Sequence, residues 1–481
     1  MINLILALLS GVVGALLTAL IPAKNDRLRT TVVFAALASA LIFSWRTALL
    51  VFAGAELELT FGLAGLTWRL APDPLGAMFV LIASTLWLVA GLYSAGYMAG
   101  KRNLKSYYSF FLLANSITLG VACAGNLVAL YLFYELLTLS TYPLVIHERS
   151  AEAVKAGAKY IIYSLSGAGA LLAAIVITHA LTGHSDFTSV PVLAGQTGKG
   201  LNWLLALFIA GFGVKAAIMP LHRWLPEAMV APTPISALLH AVAVVYSGVY
   251  GIIRVVYTVF GPELMSSLTF AKALPWIASF TILVGVMIAT RQDVLKKRLA
   301  YHTISQLSYI LLGAFTLQPL GLSGAMLHMI SYSLLKVTLF FCAGIIAEQT
   351  GETVVSRMGG VGWSLPKTMA AFGVASLGMV GMLPLNTFWS KYYLMRGGVA
   401  SGSWPLALVL ITSGIINAVC FIPTVVAAFK GESQGRVHLE SGSSVSLMLV
   451  PTVLLAGISL LIGLWPGLVW DGVQAVVNSF F

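Results

Sequence analysis

The composition of this chain excludes a soluble globular protein. Of its 481 residues, 59% are hydrophobic and only 9% are charged, whereas about 25% of the residues in a soluble domain are charged. So much apolar surface can be accommodated only if the lipid bilayer is the solvent. The formal net charge is +11, but the basic residues lie in short loops between apolar segments. This placement excludes a nucleic-acid-binding surface and indicates membrane topology.

We predict an all-α integral membrane protein with about 14 transmembrane helices, because a helix of about 20 residues crosses the hydrocarbon core. The first span has no basic segment before it and no small-residue cleavage site, so we expect it to be retained and not removed as a signal peptide. The longest polar stretches, 185–200 and 431–444, are predicted loops. The predicted spans cover residues 2–22, 30–53, 73–98, 106–123, 126–147, 157–180, 201–220, 231–260, 273–290, 302–318, 322–347, 366–384 with a continuation after Pro384, 404–429 and 445–469.

The basic residues are concentrated in alternate loops, which indicates the orientation in the membrane. Loops that follow odd-numbered spans are strongly basic, and loops that follow even-numbered spans are close to neutral. By the positive-inside rule, the odd loops are predicted to be cytoplasmic and both termini to lie outside, most simply in a prokaryotic inner membrane. The basic residues of the odd loops are Lys24, Arg27, Arg29, Lys101, Arg102, Lys105, Arg149, Lys155, Lys159, Arg291, Lys296, Lys297 and Arg298.

Two segments of the chain resemble each other and predict an internal repeat. Residues 219–227 read MPLHRWLPE and residues 383–391 read LPLNTFWSK, and Tyr-Ser-Leu occurs at 163–165 and again at 332–334. The repeat would contain five helices, spans four to eight and nine to thirteen, and an odd number inverts the second copy. Chance similarity between short apolar motifs is the alternative. The predicted units are 1–104, a first repeat 105–262, a second repeat 263–430, and a last helix in 431–481.

Four ionisable residues lie in or beside these apolar spans: Glu135, Lys215, Lys336 and, just after the second proline break, Lys391. A charged side chain at the bilayer centre costs about 2.5–3.5 kcal/mol on insertion scales, so such residues usually face a bundle interior or a hydrated cavity. Other polar residues share a helix face with them or form similar stripes. These stripes are Tyr131, Glu135, Thr138 and Tyr142; Ser236, His240, Ser247 and Arg254; His302, Ser305 and Tyr309; and His328, Tyr332 and Lys336.

The mixture of amines, a carboxylate and imidazoles is suited to proton relay. A lysine in a dry environment is readily deprotonated, a nearby carboxylate favours its charged form, and histidine exchanges protons close to neutral pH. We therefore expect Glu135 to control the protonation of Lys215. We predict a pathway through these two residues, His240, Lys336 and Lys391, with His328 and Tyr332 as auxiliary relay groups.

Each of these residues also has a purely structural interpretation, and the sequence leaves it open. Glu135 and Lys215 could form a static ion pair, and His240 could be an ordinary core histidine. Lys336 and Lys391 could extend towards an interface, while His302 could face the cytoplasm. Tyr309 and Tyr332 could be packing aromatics, and His222 and Glu227, in the loop of the first break, could be structural or gating groups.

The sequence supplies no signal for a cofactor or metal. Cys123, Cys342 and Cys420 lie in apolar helices without metal-ligand spacing, which is typical of buried thiols that pack as small hydrophobic groups. We expect no iron–sulfur cluster, haem or other cofactor in this chain.

Taken together, these residues resemble the antiporter-like subunits of respiratory complex I, of membrane-bound hydrogenases and formate hydrogenlyases, and of Mrp-type sodium/proton antiporters. Within that family the chain is most similar to the D-type Mrp subunits and to hydrogenase-associated members. The matching segments are NLVALYLFYELLTLSTYPLV (126–145), KYIIYSL (159–165), KAAIMPLHRWLPEAMVAPTPISALLHA (215–241), DVLKKRLAYHTISQLSYI (293–310), LLKVTLFFCAGII (334–346) and FWSKYYL (388–394).

The resemblance implies fourteen helices, two inverted five-helix bundles, and roles for particular residues. It implies that Glu135 pairs with Lys215, that His240 is a bridging histidine, that Lys336 is the central lysine, and that Lys391 lies at the outward half-channel. His328 resembles a polar partner one helix turn before Tyr332. The sequence departs from the family where many members have a histidine in place of Tyr332, a lysine in place of Tyr246, and Ser-Gly in place of Asn386-Thr387.

From the residues and the resemblance we expect an ion-translocating subunit of a multisubunit membrane complex. The expected partners are other membrane subunits, protons and lipid, with a redox module and sodium left open and no nucleic acid. Any oxidoreductase activity is expected to belong to partner subunits. The alternatives are a non-conducting structural subunit of the same kind of assembly and a self-sufficient secondary transporter.

Overall fold

The computed structural model describes residues 1–22, 25–63, 66–431 and 440–481, and it is mostly helical. Lys24, counted among the basic loop residues, lies outside the described residues, as does part of the predicted loop 431–444. The first part of the chain contains a β-hairpin between its second and third helices. Its elements are α1 (Ile2–Leu20), α2 (Asp26–Phe52), β1 (Leu59–Leu63), β2 (Leu66–Leu70), α3 (Pro74–Tyr97), α4 (Leu104–Ala122), α5 (Leu127–Val145) and α6 (Ala151–Thr182).

The middle of the chain contains the first helix break and the most interrupted helix. Its α-helices are α7 (Gly200–Lys215), α8 (Trp224–Glu227), α9 (Thr233–Ala241), α10 (Val244–Arg254), α11 (Gly261–Ser267), α12 (Thr269–Thr290) and α13 (Leu295–Phe315). The C-terminal part contains α14 (Pro319–Thr350), α15 (Val361–Ser364), α16 (Pro366–Val380), α17 (Asn386–Ala400), α18 (Trp404–Ala428), α19 (Ser443–Leu464) and α20 (Gly467–Asn478).

Ten helical segments of the described chain are long and apolar enough to cross a membrane. One of them is the stacked series from Thr233 to Ser267, whose most apolar window is wholly buried. In contrast, α1 and α18 bury only about a third of their most apolar window and expose leucine, isoleucine and valine side chains. This is the pattern of a bundle with buried central helices and lipid-facing outer helices. The prediction of a helical integral membrane protein is confirmed.

α14 is the central helix of the second half. Its most apolar window is 94% buried, and it packs against α3, α9, α13, α16, α17 and α19. Because a helix surrounded by other helices has no lipid-facing side, polar residues on α14 lie in the protein interior. This position accounts for the burial of His328, Tyr332 and Lys336.

The single predicted helix over 231–260 is wrong in detail, because the structure divides it. α9 ends at Ala241, α10 begins at Val244, and a π-helical turn over Val255–Phe260 precedes α11. The backbone at Ala243 has φ −88° and ψ −97°, outside the helical region. No proline or glycine marks this interruption in AVAVV, so the sequence pattern gave no sign of it.

Two further elements are absent from the sequence prediction. Strands β1 and β2 pair antiparallel, with Leu59 opposite Leu70, and they add a small hairpin to the predicted all-α fold. α20 is a short helix beyond the last predicted span. Both are shorter than a membrane span, so a search for long apolar segments does not detect them.

The two predicted breaks have the same backbone ending. At the first break, Ile218 N–H donates to Gly213 O and Ala217 N–H to Val214 O, with Ala217 at φ +56°. At the second, Met382 N–H donates to Leu377 O and Gly381 N–H to Gly378 O, with Gly381 at φ +94°. Both pairs form the Schellman arrangement that closes a helix C-terminus. In each case a proline follows three residues after the left-handed residue, and the chain cannot resume the same helix.

Candidate functional site

Lys215 is the last residue of α7 and is fully buried. Its Nζ donates to the main-chain oxygen of Tyr134 on α5, and it lies 3.4 Å from the centroid of the Tyr134 ring. The Tyr134 hydroxyl donates to Gly211 O at 3.0 Å, so this tyrosine contacts α7 at both positions. Gly248 on α10 allows this helix to pack closely against the end of α7, because a Cβ atom at position 248 would lie 2.3 Å from Ala216 N.

Glu135 lies beside this lysine but does not form the direct pair that the resemblance implies. Among the described residues, the ion pairs within 4.0 Å do not include Glu135 with Lys215. The Glu135 Oε1 atom is buried without a protein hydrogen-bond partner. The two charges are close enough to interact electrostatically. The ammonium of Lys215 is therefore held by a carbonyl and an aromatic face, with the carboxylate at longer range.

His240 and Lys336 are connected through α13. His240 Nδ1 and Thr303 Oγ1 form a hydrogen bond of 3.1 Å, and Thr303 Oγ1 is 3.0 Å from Leu299 O. Lys336 Nζ donates to the same Leu299 carbonyl at 2.6 Å. The Tyr332 hydroxyl donates to His240 O at 3.2 Å. One hydroxyl and one carbonyl of α13 thus lie between the predicted bridging histidine and the predicted central lysine.

His302 belongs to this cluster and does not face the cytoplasm. It is fully buried, and its Nδ1 lies 3.3 Å from Lys336 Nζ. The Phe421 ring packs edge-on against it at 4.8 Å. The alternative in which His302 faces the cytoplasm is therefore wrong. Lys336 itself is fully buried, so it does not extend to an interface.

His328 continues the row from Lys336 towards α17. Its Nδ1 forms a hydrogen bond of 2.9 Å with Ser390 Oγ, one residue before Lys391. Its ring stacks on Tyr309 at 5.1 Å and on Tyr332 at 6.0 Å. The predicted face of α14 with His328, Tyr332 and Lys336 therefore points into one continuous polar cluster.

Lys391 is held by the end of the broken helix that precedes it. Its Nζ donates to Met379 O at 2.7 Å and to Val380 O at 2.8 Å, the last carbonyls of α16. A helix C-terminus carries partial negative charge on such carbonyls, and a cation there is stabilised. The side chain of Lys391 is 7% exposed, so it does not reach an interface within this chain.

Several buried polar atoms along this row have no protein partner in the described chain. Protein interiors rarely leave polar atoms unpaired, and such atoms usually contact water or an ion. Asn417 lies beside His302 and Tyr309. The atoms without a partner at hydrogen-bonding geometry include Glu135 Oε1, the Nε2 atoms of His240, His302 and His328, and side-chain atoms of Gln306, Ser413 and Asn417.

Two residues of the predicted polar stripes, and Glu227 from the loop of the first break, lie outside the row. Ser305 donates to Ile282 O on α12, so the polar face of α13 contains Gln306 in its place. Arg254 forms a two-point ion pair with Asp73, the N-cap of α3, at 2.6 and 2.5 Å. Glu227 pairs with Lys159 on α6. These three residues have structural partners outside the row.

The sequence reasoning missed Tyr134, Thr303 and Ser390. The carbonyl of Tyr134 leaves no trace in a sequence, because every residue has one. Thr303 and Ser390 are adjacent in the chain to His302 and Lys391. A search for hydroxyls next to buried titratable residues could have found both.

The described residues contain no group of three or more histidine, cysteine, aspartate or glutamate side chains arranged to hold a metal ion. Cys123, Cys342 and Cys420 are buried and free. The expectation that this chain carries no cofactor stays a prediction.

Comparison with known proteins gives consistent matches. Residues 124–416 match the family described as NADH:quinone oxidoreductase/Mrp antiporter, TM. The chain is 34% identical to NADH-quinone oxidoreductase subunit N of Desulforudis audaxviator (strain MP104C), over 77% of this chain and 75% of the relative. It is 28% identical to the D-type subunit of the Na(+)/H(+) antiporter of Bacillus subtilis (strain 168), over 82% of this chain and 80% of the relative.

A solved structure shows that the fold is shared as well. The structure of the Mrp complex from Dietzia sp. DQ12-45-1b contains a chain that matches with a TM-score of 0.88 at 20% identity, covering 99% of this chain and 97% of that chain. The match begins before the family segment 124–416 and extends beyond it. The expected family is thereby confirmed: this chain belongs to the NADH:quinone oxidoreductase/Mrp antiporter transmembrane family.

Proposed function

We propose that this chain is a proton-translocating subunit of a multisubunit membrane complex. Protons would pass along a row formed by Glu135, Lys215, His240, Lys336 and Lys391. His302, His328, Tyr332, Thr303 and Ser390 would relay protons between these groups, together with water. Its relatives carry the names of subunits, and this supports assembly with other membrane subunits. Any redox chemistry would belong to those partners.

The observation that carries this proposal is how the three buried lysines are held. Each contacts neutral groups: a carbonyl and ring for Lys215, a carbonyl and an imidazole for Lys336, and two carbonyls for Lys391. A static ion pair that fixes helix register would place a carboxylate in direct contact with each amine. Without one, the charge of each lysine is not fixed by its contacts, so its proton can be gained and lost.

Charges along such a row can act on each other without direct contact. At an effective dielectric constant of about 20, two unit charges 8 Å apart interact by roughly 2 kcal/mol. That energy corresponds to about 1.5 pKa units. Protonation at one lysine can therefore drive deprotonation at the next.

We propose that the fold contains fourteen membrane helices with two inverted five-helix repeats. The shared Schellman ending supports equivalence of the two breaks, because the left-handed residue, Ala217 or Gly381, precedes Pro220 or Pro384 by three positions in both. Broken helices in corresponding positions of two halves mark transport sites near the midplane. Both breaks lie beside a lysine of the row.

We also place the basic loops in the cytoplasm and both termini outside. The concentration of Lys and Arg in alternate loops supports this orientation. An impermeant thiol reagent applied to intact cells should then fail to label a Lys105→Cys variant. Labelling from outside would reverse the assignment.

Access to the row from the basic side would run through a cavity of about 1090 Å³, here named the lysine cavity. It opens between α6, α8, α13 and α14, and the four lysines that line it are Lys155, Lys159, Lys296 and Lys297. Thr233 also lines it. Thr233, Ser236 and His240 follow each other on α9 at steps of three and four residues, which places them on one helix face. Protons entering the cavity would reach His240 along that face.

The experiment that tests the proposed function is a comparison of Lys336→Met with Lys367→Met. Lys336 is buried in the row, and Lys367 is an exposed lysine at the start of α16. We expect Lys336→Met to reduce proton translocation by the purified, reconstituted complex on the order of 100-fold, with normal subunit content. Lys367→Met should have little effect.

The main alternative is a structural subunit whose polar row only supports assembly. It predicts that Lys336→Met reduces the amount of assembled complex while the assembled fraction still translocates protons at the normal rate. A self-sufficient transporter would exchange ions in vesicles that contain this chain alone.

A further inference from the structure

We propose that the lysine cavity binds the phosphate headgroup of an anionic phospholipid, with an acyl chain along the outer face of α6. The proposal concerns the mouth of the cavity and its surroundings. It does not depend on the path of protons through the interior.

The charges around the cavity favour an anion. Four lysines line it, against the two carboxylates Glu152 and Glu227. Lys159 is paired with Glu227, and Lys296 Nζ donates to Ala231 O at 3.1 Å. Two positive charges therefore remain in excess over the acidic side chains in the lining. A cluster of lysines between helices at the membrane surface is a typical phospholipid headgroup site.

Lys155 and Lys297 are the residues available to the ligand. Both are exposed, and within the described chain neither side chain forms a hydrogen bond or ion pair with another residue. They approach the cavity from two different helices, α6 and α13. A phosphate between them could accept hydrogen bonds from both ammonium groups.

The surface next to the cavity is apolar and suited to an acyl chain. After Lys155 along α6, residues at alternating steps of three and four positions form one exposed stripe on the helix. Ile162 is 64% exposed, Leu165 53%, Leu172 45% and Val176 59%. The stripe consists of Lys155, Ala158, Ile162, Leu165, Gly169, Leu172 and Val176.

The part of the stripe nearest Lys155 has the length of one leaflet, and the rest of the stripe, as far as Val176, faces the other leaflet. From Ala158 to Gly169 the helix rises about 16 Å, roughly half of a hydrocarbon core of about 30 Å. Gly169 has no atom within 4 Å of the position of a Cβ, so the stripe is open at that depth. A lipid whose phosphate lies at Lys155 would extend its chain to the middle of the bilayer. This continuity of charge and apolar surface favours a phospholipid over a soluble anion or a polar protein segment.

The test is lipid binding to the assembled complex, measured by native mass spectrometry during titration with phosphatidylglycerol or phosphatidylcholine. The double variant Lys155→Gln with Lys297→Gln is compared with a control, Lys105→Gln with Lys430→Gln. The control removes two exposed lysines that do not line the cavity. We expect the cavity variant to weaken phosphatidylglycerol binding roughly 10- to 30-fold, and the control to bind as the wild type does.

Three results would overturn the proposal. The first is equal phosphatidylglycerol binding by the two variants, as expected if a partner subunit covers the lysines. The second is equal preference for phosphatidylcholine and phosphatidylglycerol in the wild type. The third is displacement of the bound lipid by millimolar inorganic phosphate, which would assign the site to a soluble anion. Since binding is measured without any transport assay, failure here leaves the proposed function untouched.

Discussion

The two helix breaks use the same backbone ending but hold their lysines differently. At the first break, Lys215 belongs to the helix that ends there, and its ammonium contacts a carbonyl of another helix, α5. At the second, Lys391 belongs to the helix that follows, and it contacts the terminal carbonyls of α16. The two breaks therefore differ in the source of the hydrogen-bond acceptor. Lys215 uses a carbonyl of a neighbouring helix, whereas Lys391 uses carbonyls of the break itself.

Because their acceptor carbonyls differ, the two lysines contribute differently to the stability of the folded protein. The Tyr134 carbonyl lies within α5, where the main chain is already hydrogen-bonded. The carbonyls of Met379 and Val380 lie at the end of α16, where the helix supplies no further N–H donors, and Pro384, four residues after Val380, has no N–H. Lys391 therefore completes the hydrogen bonding of α16, whereas Lys215 adds a contact that the fold does not need.

The first prediction has the largest expected effect, and it distinguishes a lysine that only translocates protons from one that also stabilises the fold. Lys215→Met and Lys391→Met should each reduce proton translocation on the order of 100-fold. Only Lys391→Met should also lower the free energy of unfolding, by about 1–3 kcal/mol, because it leaves buried carbonyls without a donor. Translocation in reconstituted vesicles and thermal unfolding of the purified complex measure the two quantities.

Desolvation of the buried Lys215 ammonium opposes folding, and among the described residues no carboxylate pairs with it within 4.0 Å. We therefore expect Lys215→Met to cause no loss of stability. Equal losses of stability in the two variants would contradict the comparison. It would mean that Lys215 also has a structural role, as a static pair with Glu135 requires.

The second prediction concerns Gly381, the left-handed residue of the second break. A Cβ atom there would lie 2.7 Å from Lys391 Cδ, and the residue has φ +94°. Gly381→Ala should therefore cost about 1–2 kcal/mol in backbone conformation and displace the ammonium from its carbonyls, with slower translocation. Gly373→Ala, within the helix that Gly381 terminates, is the control. Its Cβ has ordinary space, so it should stabilise α16 by about 0.5–1 kcal/mol.

The third prediction tests the link between the two halves. Thr303→Val removes the hydroxyl between His240 and the Leu299 carbonyl, and should slow translocation about fivefold, the equivalent of one hydrogen bond. Thr338→Val is the control, because its hydroxyl is buried but donates only to its own helix, at Leu334 O. An unchanged rate in Thr303→Val would exclude this hydroxyl from the relay.

The sequence allowed the helical membrane fold and the face of α14 to be predicted. His328, Tyr332 and Lys336 recur every four residues in an apolar helix, so burial of that face follows from periodicity alone. The positions of the breaks were also visible, through Pro220 and Pro384. Helix periodicity is a local property, and local patterns determine these features.

The partners of the lysines could not be predicted, because they are backbone atoms or distant side chains. The carbonyls that hold Lys391 become available only because α16 ends at Val380, four residues before the proline. The partner of Arg254 is Asp73, 181 positions away. Ser305 and Gln306 differ by one position, and only the packing of α12 decides which of them faces the row.

The smallest expected effect comes from Ala217, the counterpart of Gly381 in the first break. Ala217 has φ +56° and is buried. Glycine would relieve about 1–2 kcal/mol of left-handed strain, but it would lose a buried methyl group and gain entropy in the unfolded chain, each worth about 0.4–1 kcal/mol. Ala217→Gly should therefore change stability by less than about 1 kcal/mol, as measured by thermal unfolding. It should leave translocation unaltered, because the ammonium of Lys215 is held by the Tyr134 carbonyl of α5 and not by the carbonyls of the break. A loss as large as that of Gly381→Ala would show that both breaks are sensitive to any change, and that the contact with Lys391 is not the reason for the difference.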